Sequence, residues 1–357
     1  MNIRDRKALL DQADNALSQA QYDPKKLMLI YVGVCAIISL LQMLLSNMVY
    51  LQVDMTGGLR GIDSRVLWTT LETVFSYGVL ILMPIWTVGI AYAGIRISRY
   101  ETVGPNSLMM GFHRFGPVFR TMLLQYVILY FAVMVSVYLA FFVWILTPQT
   151  WTYMQQMVSG MATDGLEYLE SMTNYVEIEG VEALLSSDAM IKAFQEALPL
   201  LENLLPLMLS LFGLLIFVMG LVLIPLSYAM RLMPYLTVDK ERIGAFEALR
   251  RSFRMTKGQK WALFRLDLKF WWFYVLLALA SGIYTVPVYL QLFGVIQLPF
   301  SLNTTTVLFY LLYLAVYIPL FVHVGPKLQV TYALAYGALR GDKPALPQET
   351  AQAPEEE

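Results

Sequence analysis

The chain has 357 residues, of which 58% are hydrophobic and only 14% charged. A soluble domain carries about 25% charge, so a water-soluble globular fold is excluded and a membrane protein is expected. The formal net charge of −1 selects no partner, and the one cysteine, Cys35 in an apolar run, leaves no internal disulfide and reads as packing.

Residues 3–21 read as an amphipathic helix, with Ile3, Leu10, Ala13, Leu17 and Ala20 at helical spacing and Arg4, Lys7, Asp11 and Asp14 on the other side. This polar beginning and the lack of a small-residue cleavage site after the first apolar run predict no signal peptide. Asp23-Pro24 breaks the helix, and Lys25-Lys26 anchors a first span over 27–51. A bilayer core needs roughly 20 apolar residues per helix, and five more runs qualify: 66–95, 118–146, 204–230, 270–292 and 305–324, the last continuing past Pro326 towards Tyr336. Between the second and third spans a short amphipathic helix is expected over 106–116, with Leu108, Phe112 and Phe115 as its stripe. Residues 149–202 carry nine acidic residues against one basic, Lys192, and read as two or three amphipathic helices, about 149–160, 164–175 and 181–198. The predicted divisions are an N-terminal helical segment 1–26, three spans over 27–146, an acidic insert 147–203, three spans over 204–340 with a basic helix 241–258, and a Pro-rich acidic tail 341–357 expected to be disordered.

Lys and Arg counts orient the spans. The N-terminal segment has five, the loop after span two about four and the loop after span four about ten, whereas the other connections have two, one and none. Six spans with both termini cytoplasmic satisfy every loop, so the acidic insert is expected outside. Trp68, Trp144, Trp151, Trp261, Trp271 and Trp272 fall near span ends as interface anchors do. The ends of spans two, four and six also look alike. Pro84 leads to Arg99-Tyr100-Glu101, Pro225 to Lys240-Glu241, and Pro326 to Arg340-Gly341-Asp342. The expected fold is all-α and polytopic, with three parallel two-span repeats, each introduced by an inner amphipathic helix.

The most basic stretch is 241–270. Phe246, Leu249 and Phe253 form a stripe, with Arg250, Arg251 and Arg254 beside it, and Gly258 ends the helix. Ala248-Leu249, Ser252, Met255, Lys257-Gly258, Lys260, Phe264, Leu266, Leu268 and Phe270 make an Ala-Leu-x-x-Ser helix, a Lys-Gly-x-Lys turn and an alternating apolar entry to a span. This pattern resembles the bacterial integral-membrane family called domain of unknown function 975, and more loosely the membrane domain of some glycerophosphodiester phosphodiesterases. The resemblance implies a multi-pass protein of the bacterial cytoplasmic membrane; it implies no activity and does not account for the acidic insert.

Chemistry-bearing residues are sparse. Glu72 is the only carboxylate clearly inside a span, and His323 is ionisable at membrane depth, so both are candidate functional residues. His113, beside Arg114, reads as solvated. Asp267 is expected to pair with Arg231 or a basic residue of another unit. Two separated histidines and one cysteine give no metal spacing, no cofactor motif is present, and neither an enzyme nor nucleic-acid binding is expected. Arg250, Arg251, Arg254, Lys257, Lys260, Arg265 and Lys269 are candidates for contact with anionic headgroups of the inner leaflet or with a partner, and the acidic insert is a second partner surface. The residues point to a non-enzymatic membrane module that organises lipids or partner proteins. The alternative is a transporter or channel for an apolar or lipid-like substrate along the repeat axis.

Overall fold

The computed structural model describes residues 5–55, 60–148, 150–152, 155, 187–239, 243–292, 296 and 298–341. Almost all of 149–186, Gly57-Gly58, Lys240-Glu241-Arg242 and residues 342–357 lie outside the described residues. Among the described residues there are helices and no strands. They are α1 (Arg6–Ser18), α2 (Pro24–Met55), α3 (Arg60–Ser98), a 3-10 turn Pro105–Met109, α4 (Met110–His113), α5 (Phe115–Ile145), α6 (Ser187–Met230), α7 (Met233–Val238), α8 (Ala245–Thr256), α9 (Lys260–Asp267), a 3-10 turn Leu268–Phe270, α10 (Trp271–Leu292) and α11 (Leu302–Arg340). Among the described residues six stretches are long and apolar enough to cross a membrane: 24–48, 66–98, 115–145, 208–238, 260–292 and 304–340.

Two compact units divide the chain, one of residues 1–126 and 228–357 and one of 127–227. The core of the first sits towards one end of its long helices. Ile85, Val88 and Ile95 of α3, Leu232, Tyr235 and Leu236 around α7, and Leu328, Val330 and Ala333 to Tyr336 of α11 are buried together. The other halves of these helices expose Leu71, Val74 and Leu80, or Leu308, Leu311 and Leu312. So much contiguous apolar surface is tolerable against lipid and not against water. In the second unit, Trp144 of α5 donates to Ser210 Oγ of α6 at 3.1 Å, and Phe131, Tyr138, Phe212, Ile216 and Phe217 are exposed.

Several elements differ from the expectation. Helix α1, capped by the Asp5 side chain at Ala8 N–H, is part of the core and not a surface helix: Leu9, Ala13 and Ala16 are fully buried, and Lys327 of α11 reaches Asp14 at 2.7 Å. The buried line runs one residue to the side of the expected one, leaving Leu10 and Leu17 partly buried. The expected helix over 106–116 is instead a 3-10 turn, a single helical turn and the start of α5. Its backbone lies against α3: a Cβ at Gly89 would stand 1.9 Å from Leu108 O, and one at Gly111 2.1 Å from Ile85 O. A glycine on each side allows this close approach, Gly89 against the Leu108 backbone and Gly111 against that of Ile85. The helix expected at 181–198 and the fourth span are one helix, α6; no glycine occurs between Ser187 and Phe212 to break it. Helix α11 runs through Pro319 and Pro326 to Arg340 and stops at Gly341, whose φ of 85° suits glycine.

Candidate functional site

At the basic end of the first unit, the backbone leaves α7 at Asp239, which is extended with ψ of 178°. The Asp239 side chain turns back into the protein and is only 3% exposed. Burying a carboxylate costs several kcal/mol unless it is paired and hydrogen-bonded. Arg99, just past α3, meets it through two parallel bonds of 2.8 and 3.1 Å, the bidentate geometry that guanidinium favours. Arg340, the last residue of α11, also donates to Oδ2, and Tyr336 O–H donates to the same oxygen at 2.9 Å. Arg114 donates to the Asp239 carbonyl at 2.8 Å. Tyr235 stacks on Tyr336 at 5.6 Å, closing the apolar side. One carboxylate thus ties together the ends of the second, fourth and sixth long helices.

A second carboxylate, Asp267 at the end of α9, is 16% exposed. Of the partners expected for it, the structure has Arg231, which donates to it together with Tyr228 O–H and Tyr332 O–H. The Arg231 guanidinium also lies 4.0 Å over the Tyr332 ring, a cation–π contact. Tyr332 and Tyr336 are one turn apart on α11, and each serves one carboxylate.

Beside Asp239 runs α8. It packs through a line of small residues at i, i+4 and i+8: Ala248, Ser252 and Thr256 are buried, and Ser252 Oγ donates to the Ala229 carbonyl at 2.6 Å. The predicted apolar stripe faces away from the protein; Phe246 is 76% exposed and Phe253 40%. The small line wins because only small side chains allow α8 this close to the end of α6. Between α7, α8 and α11 lies a cavity of about 300 Å³, lined by Leu236, Asp239, Ile243, Arg251, Arg254, Met255, Tyr336, Leu339 and Arg340. Three guanidinium groups and one carboxylate line it, and Arg340 and Arg251 are ion-paired, with Asp239 and with Glu247.

The seven predicted basic residues therefore divide. Arg251 and Arg254 line the cavity, and Arg251 also holds Glu247 at 2.7 Å. Arg250 is exposed on α8. Lys257 caps α8 before Gly258, whose φ is +75°. Lys260 begins α9, Arg265 lies 5.6 Å over the Trp261 ring, and Lys269 is exposed in the turn before α10. Glu72 accepts a hydrogen bond from Ser46 Oγ of α2, and one turn along Gln42 donates to Ser76 Oγ at 3.3 Å; the pairs link α2 to α3. His323 is exposed, and His113 Nδ1 lies 2.9 Å from the Met109 carbonyl. Among the described residues no three His, Cys, Asp or Glu side chains form a metal-holding group.

Asp239, Arg99, Arg114 and Tyr336 were not singled out by motif. A signal was present: Arg99 lies fifteen residues after Pro84, whereas Asp239 and Arg340 lie fourteen after Pro225 and Pro326. The three span ends thus carry plus, minus and plus at nearly equal distances from a proline.

No curated protein and no solved structure matches the chain. A family match runs over residues 4–320, which includes Arg99, Asp239, Arg251, Arg254 and Asp267 and stops short of Tyr332, Tyr336 and Arg340. It bears on the first resemblance noted above and not on the looser one. The chain belongs to the family described as a protein of unknown function, DUF975.

Proposed function

We propose that the chain is a non-enzymatic multi-pass protein of the bacterial cytoplasmic membrane, with cytoplasmic termini, whose basic end holds anionic lipid headgroups at the inner leaflet. The observation that carries this reading is the setting of α8. Its small face is spent on the protein, so Phe246, Phe253 and the exposed Arg250 are presented outward together. Aromatic side chains beside guanidinium groups suit the headgroup boundary, where each basic residue near an anionic surface contributes about 1 kcal/mol. The Lys and Arg distribution among the loops supports the orientation, and the meeting of three span ends at Asp239 supports three parallel units.

The alternative, a path for an apolar or lipid-like substrate along the repeat axis, gives Glu72 the leading part. Its bond to Ser46 gives that carboxylate a helix-linking role. Native mass spectrometry of the protein in membrane discs separates the readings. Glu substitution of Arg250, Arg251 and Arg254 together should strip co-purifying anionic lipid, while Glu72→Gln should leave it bound. The opposite result would favour transport. The topology is tested in intact cells by an impermeant maleimide, which should label Asp188→Cys and spare Glu247→Cys.

A further inference from the structure

We infer that residues 342–357 of this chain dock on the outward face of α8 and compete there with anionic headgroups. The inference rests on the lipid-binding reading above and adds the occupant that covers α8 away from an anionic surface. Phe246, Arg250, Phe253, Arg254 and Lys257 recur at i, i+4, i+7, i+8 and i+11, which places them on one helix face. All five are exposed, because the opposite line of Ala248, Ser252 and Thr256 is the one spent on the protein. Glu247, at the edge of the face, is engaged by Arg251. Arg250, Arg254 and Lys257 form no ion pair among the described residues. The face therefore interleaves two aromatic rings with three cations.

Charge, position and reach identify the occupant. Residues 342–357 carry Asp342, Glu349, Glu355, Glu356 and Glu357 against one cation, Lys343. Helix α11 delivers the chain beside α8, since Leu339 and Arg340 line the same cavity as Arg254 and Met255. Gly341, with φ of 85°, turns the backbone off the α11 axis there. Fully extended, 342–357 reaches up to about 50 Å, against about 18 Å for the length of α8. Glu349 and the glutamates 355–357 therefore reach Arg250, Arg254 and Lys257, and Leu346 reaches the exposed phenyl rings. Attached to α11, the segment is present at an effective concentration in the millimolar range. Exposed ion pairs are individually weak, so a surface dense in anionic lipid displaces it. The docked segment sets a threshold of membrane charge below which α8 stays covered.

The test uses the full chain in phosphatidylcholine discs with graded phosphatidylglycerol. Without phosphatidylglycerol, a water-soluble carbodiimide, which joins carboxylates to amines in contact, should link Lys257 to a glutamate of 349–357, read by peptide mass spectrometry. Added phosphatidylglycerol should suppress that link. Glu349→Gln, Glu355→Gln, Glu356→Gln and Glu357→Gln together should lower the phosphatidylglycerol content needed for half-maximal retention roughly fivefold, the scale expected on removing a tethered competitor of weak affinity. Deleting 342–357 should do the same. No link to Lys257, or one half-point shared by the wild type and both variants, would overturn the docking and leave the headgroup reading standing. Retention of phosphatidylglycerol by none of the three proteins would overturn both. A link found only between light and isotope-heavy chains in a mixed preparation assigns the contact to a second copy and overturns docking within one chain.

Discussion

Asp239 and Asp267 sit near the same end of the first unit, and each accepts a proton-bearing tyrosine from α11. Their surroundings differ in charge. Asp267 has one cation, Arg231, and two hydroxyls, a neutral set. Asp239 has Arg99 and Arg340, with Arg114 on its backbone carbonyl, and borders a cavity that adds Arg251 and Arg254. A balanced buried pair fastens helices and asks for nothing more. Two guanidinium groups arriving from different span ends make the Asp239 carboxylate a junction of three chain segments, whereas Asp267 joins its neighbours through one. The comparison separates a two-segment clamp from a three-segment junction.

Removing the two carboxylates makes the sharpest contrast. Asp239→Ala leaves two guanidinium groups facing each other across the ends of three helices, and breaking a buried ion pair from one side costs about 3–5 kcal/mol. The lower part of that range applies, because Arg99 and Arg340 keep 22% and 30% exposure. Asp267→Ala leaves one arginine that still lies over two tyrosine rings, and about 2 kcal/mol is expected. Thermal unfolding of the purified protein in detergent should rank Asp239→Ala well below Asp267→Ala. A reversed order would mean that the second cation paired with Asp239 is not what distinguishes the two.

Removing one cation from each site should invert the order. After Arg340→Met, Asp239 retains its bidentate Arg99, and the cost is about 1 kcal/mol. After Arg231→Met, Asp267 keeps only hydroxyl donors against a buried negative charge, and about 2–3 kcal/mol is expected. The same unfolding measurement reads both. This crossing is specific to the charge argument, since depth of burial alone would rank the Asp239 site as the more sensitive in both experiments.

How much of this was legible beforehand follows from which signals are local. Six long apolar stretches appear in hydropathy because lipid contact demands them residue by residue. The turn at Gly258 and the stop at Gly341 were marked by glycine for conformational reasons that act within a few residues. The face that α8 buries against the protein was not legible, because periodicity finds an apolar stripe without telling whether protein or lipid covers it; Phe246 and Phe253 face outward while Ala248, Ser252 and Thr256 face in. The same ambiguity shifted the buried line of α1. Two of the seven basic candidates line the cavity, but their counter-charge was missed. Asp239 follows a hydrophobic run and precedes Lys240-Glu241-Arg242, so its sequence neighbourhood reads as a solvated turn. Only the arrival of Arg99 and Arg340 from 140 and 101 residues away makes it a buried ion.

The smallest effects fall on the two hydroxyls, and they test how far the clamp and the junction depend on them. Tyr336→Phe removes one donor from an oxygen that Arg340 still satisfies, so about 0.5–1 kcal/mol is expected. Tyr332→Phe removes a donor from Asp267 and also the partner of Tyr274 O–H at 3.1 Å, and about 1–1.5 kcal/mol is expected. The ring over which Arg231 lies survives in both variants. In thermal unfolding, Tyr332→Phe should therefore be the worse change. A larger loss from Tyr336→Phe would show that the Asp239 carboxylate depends on this hydroxyl as well as on its arginines. No loss at all from Tyr336→Phe would show that the arginines alone position that carboxylate.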